Sequence, residues 1–404
     1  MLIARPAYLE QLISWKDTDL IKVVTGVRRC GKSVLLFDIF SGWLLKNGVP
    51  SKRLIKVNLE DRQNAALRNP DALYSYVREA VNGRGKYYLL LDEVQYIDAF
   101  EDVLNSFKNM GCDVYVTGSN SKLLSSDVST ALRGRSIDIK VYPLSFAEYY
   151  SYVGGDVRKA FNNYMLYGGF PYIASEIEPN HKTMYLKMLE ETVATKDIIS
   201  HYKLRSPALF SAVYDFLCSN IGCLISPKKI SDTLKTNGYP KITPDTVSNY
   251  LQYLCEAFLF YKVYRYDLKG KGYLKTLNKY YAVDTGLRNA KLNYRQTEIT
   301  HILENIVYLE LLRRGYTVDI GKNAAKEIDF VAKDGMNTYY IQVAYTINDA
   351  VKRQQELSSF HGLDDAYRKI VVTMDDDPFT ILEKGYKKLN LFDFLLNQNS
   401  LSGV

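Results

Sequence analysis

This chain is poor in the residues that carry metal and redox chemistry. It holds four histidines and five cysteines in 404 residues. The cysteines are Cys30, Cys112, Cys218, Cys223 and Cys255; no two form a C-x-x-C pair and their number is odd. That excludes a zinc ribbon and argues against a disulfide framework. They read as reduced thiols of a cytoplasmic protein. Long apolar runs are lacking as well. Nothing approaches the ~20 residues that cross a bilayer, so no membrane span is expected. Met1–Asp17 carries Arg5, Glu10 and Lys16 among its apolar residues, and so lacks the core of a secretion signal. There is no internal repeat and no low-complexity linker.

Charge of both signs is plentiful. Lys and Arg number 52 against 45 acids, a formal net charge of +7. The excess mildly favours an anionic partner without identifying one. Hydrophobic residues make up 47% and charged residues 24%, a globular profile. A chain this long exceeds one ordinary core, so about two to four domains are expected.

The most informative segment is Gly26-Val27-Arg28-Arg29-Cys30-Gly31-Lys32-Ser33, which has the G-x-x-x-x-G-K-[ST] form of a phosphate-binding loop. Leu20–Thr25 before it is apolar and β-branched and reads as a buried strand; Val34–Phe40 after it reads as a helix. Strand, loop and helix are the context this motif requires. Backbone N–H groups from Gly26 to Val34 would surround the phosphates, aided by the positive end of the helix dipole. Lys32 would reach the β- and γ-phosphates, and the Ser33 hydroxyl would ligate Mg²⁺. Cys30 sits within the loop, so its alkylation is expected to block nucleotide binding.

A second apolar run, Tyr88-Leu89-Leu90-Leu91, ends in Asp92-Glu93. Asp92 is expected to hold Mg²⁺ and Glu93 to polarise the attacking water. A nucleotide kinase needs no such second carboxylate, so hydrolysis is favoured. Val114–Thr117 is the next strand, and Ser119 or Asn120 at its polar end is a candidate for orienting the water, set against an ordinary Gly-Ser turn. Arg133 and Arg135 precede the last strand of this region. An arginine there can reach the nucleotide of a neighbouring subunit, which implies a homo-oligomer; exposed salt-bridging arginines are the alternative.

Strand-like runs at Leu20–Thr25, Leu54–Leu59, Tyr87–Leu91, Val114–Thr117 and Ile137–Val141 alternate with helical stretches. The pattern predicts an α/β fold with a doubly wound parallel sheet. From Asp156 to about Arg205 only helical spacing is visible. Helices at Ala208–Asn220, Ser226–Lys235 and Thr243–Phe258 then precede strands at Leu259–Tyr266 and Lys279–Val283. Ser226 and Thr243 are N-caps, with Pro244 at the first helical position. Three helices and a hairpin form a winged helix-turn-helix pattern. Its hairpin is basic and aromatic: Lys262, Arg265, Lys269, Lys271, Lys275 and Lys279 stand against one acid, Asp267, among tyrosines such as Tyr264 and Tyr273. Lysines there suit the phosphates of double-stranded DNA. The competing reading is a docking surface for an unknown protein, with lysines keeping the hairpin soluble. Lys241, Thr246, Ser248, Asn249 and Gln252 are the polar groups of the presumed recognition helix.

The remainder reads as a small α/β unit: a helix over His301–Arg314, strands at Thr317–Ile320, Ile328–Ala332, Tyr339–Tyr345 and Lys369–Thr373, and helices at Ala350–Phe360 and Phe379–Tyr386.

Six segments together, Thr25–Leu36, Leu89–Glu93, Val116–Ser119, Gly134-Arg135, Tyr142–Tyr149 and Tyr167–Pro171, resemble prokaryotic AAA-type ATPases that carry a C-terminal domain of unknown function. The resemblance spans nearly the whole chain. It implies ATP as the nucleotide and a P-loop AAA-type parallel sheet with a helical lid, followed by a winged helix and a restriction-endonuclease-like α/β domain. The corresponding boundaries are 1–155, 156–205, 206–295 and 296–404. In the lid, the resemblance places Gly169 and Pro171 at the base or ribose. In the last domain it implies a Mg²⁺ site built on Glu304, Asp329 and an E-x-K strand. Here Gln342 and Ala344 replace the second carboxylate and the lysine, so nuclease activity is not expected unless a lysine such as Lys326 or Lys352 substitutes. The expected function is an ATP-driven switch or remodeller acting on DNA; the alternative is a signalling or adaptor ATPase whose C-terminal modules bind protein.

Overall fold

The computed structural model describes residues 2–118, 132, 134–295, 298–377 and 380–401. The chain forms two compact units: Met1–Pro143 with Glu256–Phe258, and Leu144–Cys255 with Leu259–Val404.

In the first unit, β1 (Ile21–Thr25), β2 (Leu54–Asn58), β3 (Tyr88–Asp92), β4 (Asp113–Gly118) and β5 (Ser136–Lys140) lie in the order β2-β3-β4-β1-β5. Every neighbouring pair is parallel. β1, β3 and β4 are buried at each position, which is why their sequences are mostly unbroken apolar runs: a sheet covered on both faces has no polar side. Helices Pro70–Ala80 and Phe100–Asn109 add Leu73, Val77, Leu104 and Phe107 to the core around Leu89, Leu91 and Val114. Lys22 breaks the apolar pattern of β1. Its buried ammonium meets Asp113 of β4 at 2.5 Å, and Tyr115 donates to the same carboxylate at 3.0 Å. The helix leaving the phosphate loop, Lys32–Val34, widens into a π-helix over Leu35–Phe40 before resuming as Ser41–Lys46. The parallel α/β sheet expected from the sequence is therefore present.

The second unit opens with helix Phe146–Val153. Ser145 and Glu148 form a reciprocal capping box at its start, and Phe146 packs edge-on against Phe161 and Tyr164. Helices Val157–Tyr167, Pro171–Ser175 and Pro179–Thr192 follow, in the expected lid region. Then come Pro207–Ser219, Pro227–Thr236 and Pro244–Glu256. Ser226 accepts the Lys229 N–H and Thr243 the Thr246 N–H, each as an N-cap. The hairpin strands β6 (Phe260–Asp267) and β7 (Gly272–Ala282) do not stand alone. With β8 (Thr317–Asn323), β9 (Lys326–Lys333), β10 (Thr338–Ala344), β11 (Arg368–Thr373), β12 (Thr380–Ile381) and β13 (Lys387–Asn390) they make a mixed eight-stranded sheet ordered β12-β13-β11-β10-β9-β8-β6-β7. β6 pairs antiparallel with β7 and parallel with β8.

Contacts run across two of the boundaries expected from the sequence. At 295/296 the hairpin continues into the last sheet through β8. At 205/206 the separation is bridged by helix Thr285–Lys291, which packs on helices Val157–Tyr167 and Pro179–Thr192. Pairings between residues this far apart leave no trace in local periodicity. One element also differs. In place of a helix over Phe379–Tyr386, the described residues form β12, a 3₁₀ turn Glu383–Gly385 and β13; the last helix is Leu391–Leu396. Ile381, Leu382 and Tyr386 imitate helical spacing, but Lys384 (φ 59°) and Gly385 (φ 74°) turn the chain left-handed, which ends a helix.

Candidate nucleotide site

The loop Gly26–Ser33 joins β1 to the helix beginning at Lys32. Two of its glycines are required by geometry. At Gly26 (φ 151°) a Cβ would lie 2.1 Å from the Val141 carbonyl oxygen, and Gly31 (φ 102°) takes the left-handed conformation that opens the helix. Arg29 is also left-handed, at φ 64°. Lys32 is buried, its ammonium 2.9 Å from the Gly26 carbonyl and 3.1 Å from that of Val27. Arg28 pairs with Glu60 at 3.5 Å. Val27 is buried, whereas Arg29 and Val34 face solvent. Cys30 is fully buried, its thiol donating to the Val141 carbonyl at 3.3 Å, and burial pushes the thiol pKa up. Burial of the thiol runs against the expectation that Cys30 is readily alkylated; its N–H donates to the Val27 carbonyl at 3.3 Å and its carbonyl accepts from Arg5 at 3.1 Å.

Because β4 lies between β1 and β3, the ends of three strands come together beside the loop. Thr117 closes the arrangement. Its hydroxyl donates to Asp92 Oδ1 at 2.5 Å and accepts the Glu93 N–H at 3.0 Å. Asp92 is 2% exposed; burial raises its carboxyl pKa, opposed by hydrogen bonds from Thr117 and Ser33. Ser33 and Asp92, expected as the Mg²⁺ pair, therefore touch each other. Hydroxyl plus carboxylate is a hard-oxygen donor set that fits Mg²⁺. Glu93 adopts φ 58°, ψ 53°, a strained conformation for a non-glycine residue, held in place by Thr117. Its side chain accepts from Gln95. Thr117 falls within one of the six family-like segments, yet reading the sequence alone points past it to Ser119 and Asn120. Those two, with Arg133, lie outside the described residues. The signal that could have found Thr117 is position: it is the last buried side chain before the strand's terminal glycine, level with Asp92.

Arg135 is exposed immediately before β5, an edge strand. Gly169 and Pro171 belong to the second unit. There Gly169 donates its N–H to Asp284 at 2.7 Å, and Pro171 opens helix Pro171–Ser175. Lys262, Lys269 and Lys271 are exposed on the hairpin and Arg265 is half-buried. Lys275 lies on β7. Lys279 is not part of the exposed basic surface.

Lys279 is 3% exposed and enters a cluster of carboxylates. Its ammonium is 2.7 Å from Glu327 Oε1 and 3.4 Å from Glu304 Oε2. Burial alone would lower its pKa; Glu304, Asp329 and Glu327 outweigh burial and raise it. Asp329, fully buried and beside the Glu304 charge, has its pKa pushed well up, while its Oδ2 accepts the Val343 N–H at 2.8 Å. Gln342 accepts from Ser359 and donates to Glu356 at 3.1 Å. Lys326 is exposed, and Lys352 pairs with Glu356 at 2.6 Å. The Mg²⁺ implied for this region by resemblance does not fit these residues: an internal ammonium stands among the carboxylates, and a neutral amide and an alanine replace the remaining groups. Among the described residues no group of three or more His, Cys, Asp or Glu is arranged to hold a metal.

Fold and site together define a P-loop nucleotide-binding protein with a carboxylate pair beside the loop. A family profile described as an AAA domain matches residues 18–150, and one for a domain of unknown function (DUF8612) matches residues 158–298. An uncharacterized protein of Haemophilus influenzae is 38% identical over 379 residues, covering 92% of this chain and 93% of that protein. The uncharacterized protein MJ1544 of Methanocaldococcus jannaschii is 29% identical over 397 residues, 92% of this chain and 85% of that one. The chain belongs to the family of P-loop AAA-type ATPases with a C-terminal domain of unknown function. Among solved structures, the Aeropyrum pernix ORC1 protein in complex with DNA is 16% identical with a TM-score of 0.30, covering 72% of this chain and 93% of that one. CDC6P from Pyrobaculum aerophilum is 12% identical with a TM-score of 0.30, covering 76% and 94%. Likeness of that degree carries no argument about this chain.

Proposed function

We propose that the protein hydrolyses ATP and uses the cycle to switch its action on double-stranded DNA. The hydrolytic half rests on one observation: Thr117 bonds both Asp92 and Glu93 on the strand between the phosphate loop and the carboxylates. Backbone N–H groups from Gly26 to Val34 bind the phosphates. Lys32 exchanges the carbonyls of Gly26 and Val27 for phosphate oxygens. Ser33 and Asp92 hold Mg²⁺, which supplies positive charge against the phosphates when bound. Glu93 takes the proton of the attacking water, oriented through Thr117 and the polar residues that follow β4. Arg135, exposed immediately before the edge strand β5, serves a neighbouring subunit's nucleotide in a homo-oligomer.

The DNA half is supported by the three helices and hairpin read as a winged helix. Ile225, between the first two helices, bridges Asn278 of β7, which ties that connection to the hairpin. Lys241, Ser248, Asn249 and Gln252 are exposed, which supports a polar outward face on and before helix Pro244–Glu256. Asp267, the hairpin's one acid, is paired with Lys322 at 3.0 Å, so the exposed Lys262, Lys269 and Lys271 face no local carboxylate competitor on the hairpin itself. The eight-stranded sheet is proposed as a nuclease-like fold without nuclease activity, supported by Gln342, Ala344 and the Lys279 ion cluster. An adaptor reading, with protein in place of DNA, draws on exposed tyrosine rings at Tyr264 and Tyr273.

The test is ATP turnover and duplex-DNA titration of the intact protein. Glu93→Gln is expected to keep ATP binding and lose turnover by roughly 10²-fold, the range for general-base loss. Unchanged hydrolysis by Glu93→Gln would remove the assignment of the base, and absence of duplex binding at low salt would favour the adaptor reading.

A further inference from the structure

Arg5 lies before the first helix, Pro6–Ser14, far in sequence from the phosphate loop. Yet its side chain is 4% exposed. Its guanidinium lies 4.6 Å above the Tyr8 ring. One arm, Nη1, donates to the Cys30 carbonyl at 3.1 Å; the other, Nη2, donates to the Tyr142 carbonyl at 2.8 Å. Tyr8 accepts the Tyr142 N–H at 3.2 Å, and the Cys30 thiol donates to Val141 at 3.3 Å. The loop is thereby fastened to the chain leaving β5 at two successive residues.

The Cys30 carbonyl has mechanical importance. In a planar trans peptide the carbonyl and the following N–H point in opposite directions. Fixing the Cys30 oxygen toward Arg5 therefore fixes the Gly31 N–H away from it, on the loop's inner side. Gly31, at φ 102°, has the backbone freedom of glycine and gives little resistance to a peptide flip. Something outside the loop must hold this plane, and a rigid two-pronged guanidinium suits the task better than an ammonium.

We infer that Arg5 is a positioning residue for nucleotide binding, orienting the Gly31 N–H toward the triphosphate without touching it. The inference rests on the ATPase reading of the loop. It applies to affinity more than to the chemical step, because Asp92, Glu93 and Thr117 lie on other strands.

The experiment titrates a fluorescent ATP analogue and measures ATPase kinetics for wild type, Arg5→Ala and Arg5→Lys, each checked for cooperative thermal unfolding. Arg5→Ala is expected to raise the dissociation constant and KM about tenfold or more, corresponding to about 1.4 kcal/mol, with kcat within about threefold. Millimolar methylguanidinium is expected to restore much of the affinity of Arg5→Ala and leave wild type unaffected. Arg5→Lys, which reaches one carbonyl at a time, is expected to fold and to bind weakly. Unchanged affinity in a folded Arg5→Ala, or a loss that methylguanidinium does not recover, overturns the inference. Should Arg5→Ala fail to fold, wild-type affinity in Arg5→Lys overturns it equally. Failure of the wild type to bind or hydrolyse ATP would instead reject the ATPase reading, whatever the Arg5 variants do.

Discussion

Single residues around the loop Gly26–Ser33 divide into those proposed to face the nucleotide and those that shape the loop from behind. Cys30 belongs to the second kind. Its thiol is fully buried, bonded to Val141, and raised in pKa by burial. Only the thiolate reacts readily with alkylating reagents. Labelling of Cys30 in the native protein is therefore expected to be slow, and equally slow with and without ATP and Mg²⁺. Mass spectrometry of iodoacetamide-treated protein checks this; rapid labelling blocked by ATP would mean that the side chain is accessible after all. Thr117 shows how a small residue acquires a function. A hydroxyl can donate and accept at once, so one threonine fastens the Asp92 carboxylate and the strained backbone of Glu93 together. Its chemistry is ordinary for a strand; its place beside Asp92 comes from the strand order.

Two elements tie the second unit together, and both use buried acids. The first is the segment from Asp284 through helix Thr285–Lys291. It caps the end of helix Val157–Tyr167: Thr285 donates to the Tyr164 carbonyl at 3.1 Å, and Asn289 to those of Met165 and Leu166 at 3.0 and 2.9 Å. Asp284 accepts from Gly169 at 2.7 Å and Leu287 at 3.0 Å. Burial pushes the Asp284 pKa up to about 6 from 3.8, despite those backbone donors. A raised carboxyl pKa favours the folded state at low pH. The contribution is fully present below 3.8 and is lost as pH rises through about 6, a difference of ~3 kcal/mol between the two ends of that range. Comparing wild type with Asp284→Asn, the gap in unfolding free energy is expected to move against wild type by up to that amount from pH 4 to pH 7. A gap independent of pH would remove Asp284 as the titrating group.

The second element is the ion cluster joining β7, β9 and helix Ile299–Arg313. Glu304, on that helix, also accepts from Tyr281 at 3.2 Å. Replacing Lys279 by Met removes the ammonium beside Glu327 and the buried Glu304, leaving His301 as the ion-pair partner of Glu304; breaking a buried pair typically costs about 3–5 kcal/mol. Chemical denaturation of Lys279→Met is expected to show that loss in the second unit, whereas Lys269→Met on the exposed hairpin turn is expected to change stability little. Equal stability of Lys279→Met and wild type would contradict the cluster's role.

For the whole molecule, the relevant question is what the basic excess does. Lys262, Lys269 and Lys271 carry the hairpin's charge outward, whereas Arg265 is half-buried and Lys279 is buried. Charge reversal at Lys269 and Lys271 is expected to weaken duplex DNA binding and to flatten the dependence of log affinity on log salt by roughly 0.9 for each phosphate no longer neutralised. Fluorescence anisotropy across a salt series measures both quantities. Weaker binding with an unchanged salt slope would place the phosphate-binding lysines elsewhere.

How much of the molecule is legible in advance follows from how far apart the interacting residues are. The phosphate loop, the strand ending in Asp92-Glu93, the N-caps at Ser226 and Thr243 and the parallel α/β class are readable because each is written in consecutive residues: a motif, an apolar run, a cap followed by helical spacing. Local sterics and burial decide such features almost by themselves. The tertiary structure decided the rest. It put Thr117 between the carboxylates, turned Lys279 inward, joined the hairpin to the last sheet through β8, and brought Arg5 to the Cys30 carbonyl. In each case the partner lies tens of residues away. Hydrogen bonds and ion pairs depend on separation in space, and no local pattern in the chain records a contact that only folding creates.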